Sequence, residues 1–325
     1  MWGRRRDRQR RDDHDRQLVE LADLVARTGD GPALVELWSG FGEVDDYRDP
    51  RWFQVRLKGS VGLKRLYDRT GDPDHLTKAV ESCRDLFGDV PFDDPEWASY
   101  ATILGRLLQQ QSIDQDDLEA LRLCLEVHRL VADVTPPEEP KAFARYTDLA
   151  LSSMVLFQRT GEENAIDEAV DVAWIASGLS DASDPREQVD GLRNLAVALE
   201  RRWRHRGGLE DHRDSIEAMA LAANATPADD PRWEKHFREA GGAFYGWFSQ
   251  GGSAEEVDGA FQVYRDVAHN HGERVDDLER LAATKSDPGE DVERLRDALT
   301  ILPTDDPRRE TYLERLFAVH ARPPR

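Results

Sequence analysis

The sequence predicts an all-α solenoid, one helical hairpin copied end to end along 325 residues. Three observations lead there. Asp-Pro-x-Trp is written three times, at Asp49-Pro50-Arg51-Trp52, Asp94-Pro95-Glu96-Trp97 and Asp230-Pro231-Arg232-Trp233, with looser copies at Glu139-Pro140, Asp184-Pro185 and Asp306-Pro307. The prolines are 45, 45, 45 and 46 residues apart, and the last lies 76 residues further on, the length of two shortened units. Apolar residues between the copies recur every three or four positions, with no β-alternation. Self-similarity at such a period marks stacked supersecondary units, each burying the apolar face of the last. About six to seven hairpins fit the chain at the rough 45-residue step.

The recurring motif has a physical reason. Aspartate accepts hydrogen bonds from the free amides at a helix start. Proline at the first helical position gives up no hydrogen bond and brings a helical φ. The tryptophan that follows is placed to drop against the preceding unit, worth roughly 1.5–3 kcal/mol if buried.

Residues 1–14 read as a basic arm, frayed or disordered, rich in arginine (Arg4, Arg5, Arg6, Arg8, Arg10, Arg11); residues 15–325 read as the repeat domain. Leu18, Leu21 and Val25 form a first helical face, closed at Thr28-Gly29-Asp30, where glycine is free to turn left-handed. A short helix follows through Leu34 and Leu37. Helix A of the next unit runs from Arg51 to Arg69 and turns at Thr70-Gly71-Asp72; helix B carries Leu76, Ala79, Val80, Cys83 and Phe87 on one face. The second unit shortens helix A and lengthens helix B, ending at Thr135-Pro136-Pro137. The third turns at Thr160-Gly161-Glu162, the fourth at Arg206-Gly207-Gly208, closing at Thr226-Pro227, and the fifth at Gly251-Gly252. Beyond His271 a cut-down unit closes at Pro303, and Arg308 to His320 is a last helix with no partner helix in the chain.

The charge balance is 44 basic against 65 acidic residues, a net of −21. It speaks against non-specific nucleic-acid binding and anionic membranes, and for a basic partner. An Arg-rich arm gripping nucleic acid is a weaker reading. Two cysteines, Cys83 and Cys124, make no disulfide framework. No apolar run approaches the roughly 20 residues of a membrane span. The expected location is the cytoplasm.

Aligned on their turns, the helices A read Asp148-Leu149-Ala150, Asn194-Leu195-Ala196 and Glu239-Ala240-Gly241, with Tyr67, Phe157, Trp203 and Phe248 before the turn and Thr-Pro at the close. This resembles the tetratricopeptide repeat (TPR), whose helix A carries Asn-Leu-Gly and whose unit ends in proline. More narrowly, it is similar to the long-repeat arrays of GC-rich bacteria that adjoin CHAT peptidases or signalling ATPases. The resemblance covers about Asp45 to Arg325; the period of 45 departs from the family's 34. It implies a right-handed α-α superhelix and a non-catalytic interaction scaffold that binds a peptide or partner domain in an acidic groove lined by helices A. The groove positions it points to are Lys58, Asp148, Asn194 and Glu239; two of the four are acids, which disfavours a carboxylate clamp and suits a basic or mixed peptide.

Catalytic patterns are few. Asp45-Asp46-Tyr47-Arg48-Asp49 matches the Asp-Asp-x-x-Asp by which class I terpene synthases hold magnesium diphosphate, an alternative all-α function, but it lies in an acidic inter-repeat loop and no second magnesium motif follows Asn224. His212-Arg213-Asp214 mimics a kinase catalytic loop without the other kinase motifs and reads as helix surface. His269 and His271 read as a solvated helix end. Cys83 and Cys124 read as buried thiols, with His128 the nearest imaginable base. Trp247 or Phe248, if exposed, would be an interface anchor. No cofactor and no metal are expected.

Overall fold

The computed structural model describes residues 2–263, except 43, 45, 47, 180–183, 228, 250–254 and 261, with side chains from residue 13 onward and without those of 234, 245, 246, 248, 249 and 255. Every regular element among the described residues is helical. The chain divides into two compact units, Met1–Thr160 and Gly161–Arg325.

The first unit holds α1 (Trp2–Thr28), α2 (Gly31–Phe41), α3 (Phe53–Thr70), α4 (Pro73–Asp89), α5 (Trp97–Asp114), α6 (Leu118–Asp133) and α7 (Ala142–Thr160). Each helix packs on its neighbours in sequence, and α1 also lies along α3. The second unit holds α8 (Glu163–Leu179), α9 (Pro185–Arg206), α10 (Leu209–Ala225) and α11 (Trp233–Ser249), again packed in succession. The odd-numbered helices are the helices A of the repeat and the even-numbered ones the helices B.

The Asp-Pro motif does what its chemistry predicts, with one change of detail. At all three full copies the aspartate side chain accepts from the amide two residues on: Asp49 from Arg51 at 3.0 Å, Asp94 from Glu96 at 2.8 Å, Asp230 from Arg232 at 2.8 Å. Its carbonyl accepts from the tryptophan amide at 2.9 Å each time. The motif is thus a complete turn placed ahead of the helix. It appears as a 3-10 turn at Pro50–Trp52, and helices α5 and α11 begin at the tryptophan itself. Asp184, without a tryptophan, caps α9 directly. The tryptophans are buried, and Trp52 and Trp97 meet Phe41 and Phe87 of the preceding helix B at 5.8 and 5.1 Å.

The glycine turns hold as well: Gly29, Gly71, Gly161 and Gly207 all have φ between 63° and 78°. The second full repeat, formed by α5 and α6, differs from expectation. Helices α5 and α6 are 18 and 16 residues long, close to α3 and α4, so neither is shortened or lengthened. The turn between them has no glycine, and Asp116 takes the left-handed position at φ 53°. The backbone of the arginine-rich stretch forms the first turns of α1. The cut-down unit after His271, the turn at Gly251-Gly252 and the last helix from Arg308 lie outside the described residues.

Hairpins close on a row of small residues. Ser60, Gly105, Ala150, Ala196 and Gly241 stand one period apart and are all buried. Ser60 of α3 touches Ser82 of α4 at 3.0 Å, and Ser215 of α10 donates to the carbonyl of Ala196 in α9 at 2.9 Å. A β-carbon at Gly105 would lie 2.3 Å from His128 Nε2 on α6.

Gly105→Ala is therefore expected to lower stability by about 1–3 kcal/mol despite alanine's better helix propensity. Asp116→Gly is expected to raise it by roughly 0.5–1 kcal/mol by relieving the left-handed backbone. Its ion pair with Arg159 is of little consequence, because the Asp116 side chain is 94% exposed. Urea unfolding of the two variants checks both signs; a stabilising Gly105→Ala would refute the close-approach account.

Candidate functional site

The four groove positions suggested by the resemblance sit on α3, α7, α9 and α11, and none bonds to another. Lys58 Nζ is 2.6 Å from Asp23 of α1. Asp148 accepts from Arg106 of α5 at 2.9 Å. Glu239 accepts from Arg193 of α9 at 2.8 Å, with Lys235 also near at 3.8 Å. Asn194 is half-buried beside Arg193. Three of the four thus tie one helix A to the helix A before it. The same service is done by Gln54 to Tyr100 at 3.0 Å, by Lys141 to Ser99 at 3.1 Å, and by Arg69, which caps the carbonyls of Thr28 and Gly29 at the end of α1.

The helices A are not an acidic surface. Helix α3 carries Arg56, Lys58, Lys64, Arg65 and Arg69 against Asp68 alone, and α9 carries six arginines against Glu187, Asp190 and Glu200. The acids gather on helices B: α8 has Glu163, Asp167, Glu168 and Asp171 with no basic residue, and α10 has Glu210, Asp211, Asp214 and Glu217 against Arg213.

A hollow of about 460 Å³ lies among α9, α10 and α11. Val197, Met219, Ala222 and Ala243 give it apolar walls, and Trp203, His212 and His236 line it with Arg193 and Glu239. His212 is 5% exposed, correcting the helix-surface expectation for His212-Arg213-Asp214. Its ring stacks on Trp203 at 3.8 Å and meets the edge of Trp247 at 5.2 Å. Trp247 is 4% exposed, so it is core and no surface anchor. Burial drives the pKa of His212 and His236 downward, leaving both neutral in ordinary buffers. Sequence reasoning missed His236, although its spacing to Thr226 repeats that of Arg145 to Thr135. A wider hollow of about 880 Å³ lies among α2, α3 and α4, where Arg56 is already paired with Asp89 at 2.9 Å.

Cys124, His128 and Ser152 do come together: Sγ is 3.6 Å from Nδ1 and 3.5 Å from the Ser152 hydroxyl, which in turn lies 2.9 Å from Nδ1. The arrangement does not activate the thiol. Burial pushes Cys124 up to about 12, and Cys83 likewise, so neither forms a thiolate at neutral pH. Burial also lowers the pKa of His128. In the acidic loop, Asp46 accepts from the amide of Arg48 and Asp49 is spent on its turn; Asp45 lies outside the described residues. Among the described residues no group of three or more His, Cys, Asp or Glu is placed to hold a metal ion. His269 and His271 lie outside them, as does the side chain of Phe248. No described helix is long and apolar enough to cross a membrane.

No protein-family model matches the chain, and no curated protein does. Solved structures do. The chain is similar to the nearly identical TPR-like repeats described for a kinesin light chain of Podosopora anserina, at 19% identity and a TM-score of 0.43, over 66% of this chain and 97% of that one. It is also similar to a de novo designed helical repeat protein, at 16% identity and a TM-score of 0.22, over 83% of this chain and 96% of that one.

Both thiols are expected to resist a thiol reagent such as Ellman's in the native protein and to react fully in denaturant; rapid native labelling of Cys124 would contradict its burial. The three buried imidazoles give a pH dependence of definite sign. Their folded pKa values lie below the roughly 6.5 of a free histidine, so the unfolded chain takes protons first as pH falls. Their contribution to stability is full above that value and is lost progressively below it. His212→Phe, which keeps a ring on Trp203, should flatten the fall in unfolding midpoint between pH 7 and 5.

Proposed function

We propose that this chain is a non-catalytic, cytoplasmic interaction scaffold that holds a basic protein or peptide partner. The observation that carries the reading is on α8. Trp174 and Ile175 are 50% and 47% exposed, side by side, on a helix whose charged residues are all acidic. Large exposed apolar side chains in such company are the composition of an interface centre with a charged rim. Glu163 and Asp167 are engaged by Arg206, at 3.3 and 2.6 Å, while Asp171 beside the pair is exposed. A lysine- or arginine-bearing segment with an apolar anchor complements this surface.

The charge distribution supports a docking surface on helices B rather than on helices A, where the TPR resemblance puts it. That resemblance also suggests the partner's class, a CHAT peptidase or a signalling ATPase, and supports a protein partner over nucleic acid. With Lys58, Asp148 and Glu239 tying helices A together, their role in this reading is to hold the array rigid.

A photo-crosslinker at Asp171 should capture a partner. Trp174→Ala with Ile175→Ser should weaken that capture at least about tenfold, as loss of an interface anchor does. The unfolding midpoint should hardly move, because the pair is surface. Raised salt should also weaken capture. Capture unaffected by the double substitution would move the surface elsewhere, and turnover of a small molecule by a chain that captures nothing would end the scaffold reading.

A further inference from the structure

The first helix runs on past the helices that hold it. Gly40, next to the end of α2, lies against Leu18 and His14 of α1. Arg51, at the turn into α3, reaches Asp15 at 3.4 Å, and Lys58 further along α3 meets Asp23 at 2.6 Å. Helix α2 ends at Phe41, and the turn into α3 begins at Pro50. Both therefore stop level with His14 and Asp15, whereas α1 begins at Trp2. Residues 2–12 make about three more turns, roughly 16 Å of helix, beyond that level.

The projection differs in composition from the rest of the chain. From Trp2 to Arg11 it carries six arginines against Asp7 alone, and no other eight consecutive residues hold as many basic side chains as Arg4 to Arg11. It is a cationic segment with a tryptophan at one end, in a chain of net charge −21. That is the chemistry which the face of α8 calls for, an arginine-bearing segment with an apolar anchor.

The order of residues matches as well as the charge. Along α8 the acids come first, Glu163, Asp167, Glu168 and Asp171, and the exposed Trp174 and Ile175 follow within a turn. Along the projection Trp2 comes first and the arginines follow. The acids of α8 extend over about 12 Å of helix and the arginines over about 10 Å. Laid antiparallel, the two helices bring tryptophan to the apolar pair and the arginines alongside the acids. Arg206 already pairs with Glu163 and Asp167, in exposed contacts that an arriving guanidinium can share at little cost.

We infer, resting on the docking role proposed for α8, that its occupant is the projecting start of α1 from a second copy of this chain. The projection continues a helix fixed to α3 at Asp15 and Asp23, so it is offered to another molecule and does not fold back on its own unit. The two patches that meet are different, so copies add head to tail.

Sedimentation equilibrium of the full chain should give a mean mass that rises with concentration, and less steeply as salt is added. Arg4→Glu with Arg5→Glu and Arg6→Glu disables the projection, and Trp174→Ala with Ile175→Ser disables the face. Either variant alone should associate at least about tenfold more weakly, with its unfolding midpoint unchanged. Mixed in equal amounts, the two should pair and stop at a dimer, because the mixture offers one sound face and one sound projection per pair. A photo-crosslinker at Asp171 of the first variant should then join it to residues 2–12 of the second. A chain monomeric at every concentration, association that survives the arginine substitutions, a mixture that does not pair, or a cross-link from Asp171 to residues 2–12 of the same molecule would overturn the inference. Those results leave α8 free to hold another basic partner; that reading falls separately, if capture at Asp171 withstands Trp174→Ala with Ile175→Ser.

Discussion

Two helices of a hairpin come closest where one of them has almost no side chain. In this chain that condition is met once per period, at Ser60, Gly105, Ala150, Ala196 and Gly241. At Gly105 the contact is close enough that the imidazole of His128 occupies the space a β-carbon would need. The rest of the array is fitted around this approach. The Asp-Pro turn fixes where each helix A begins, the left-handed glycine fixes where it ends, and the small residue lies between them so that the apolar stripes of both helices face inward. At three of the five the residue two positions before it is charged and paired with the neighbouring helix A. That is why Lys58, Asp148 and Glu239, which resemble ligand-binding positions in sequence, act as struts.

The struts sort the charge. Cations on helices A reach acids one period away, and α9 reaches back to α8 through Arg206 and forward to α10 through Arg202, whose pair with Asp211 is 2.7 Å long. Hydrogen bonding from Arg206 holds Asp167 below the usual carboxylate range. Single exposed pairs add little to stability. Their consequence is positional: among the described residues the cations of helices A are drawn to neighbouring helices, while α8 and α10 on the B side carry an excess of acid.

Much of the architecture was legible because it is local. A turn aspartate, a helix-starting proline and a left-handed glycine act within four residues, so their recurrence could be read directly at Asp49, Asp94 and Asp230. The turn at Asp116 escaped notice because aspartate there does glycine's work at a cost in strain that no composition rule flags. His212 was misplaced for another reason. Periodicity tells which face of a helix a residue occupies, but a polar or amphipathic ring on that face does not announce whether the next unit covers it. Stacking on Trp203 decided it for His212.

The sequence by itself determined the repeat, its period, the glycine turns and the buried state of Cys83 and Cys124, since each follows from interactions inside one unit or from an apolar stripe. Only the tertiary structure decided which charges pair, that His212 and Trp247 are covered, and that a hollow lies among α9, α10 and α11. Those features depend on side chains one period apart in sequence meeting in space. Their geometry is set by how closely the small residues let one helix settle on the next.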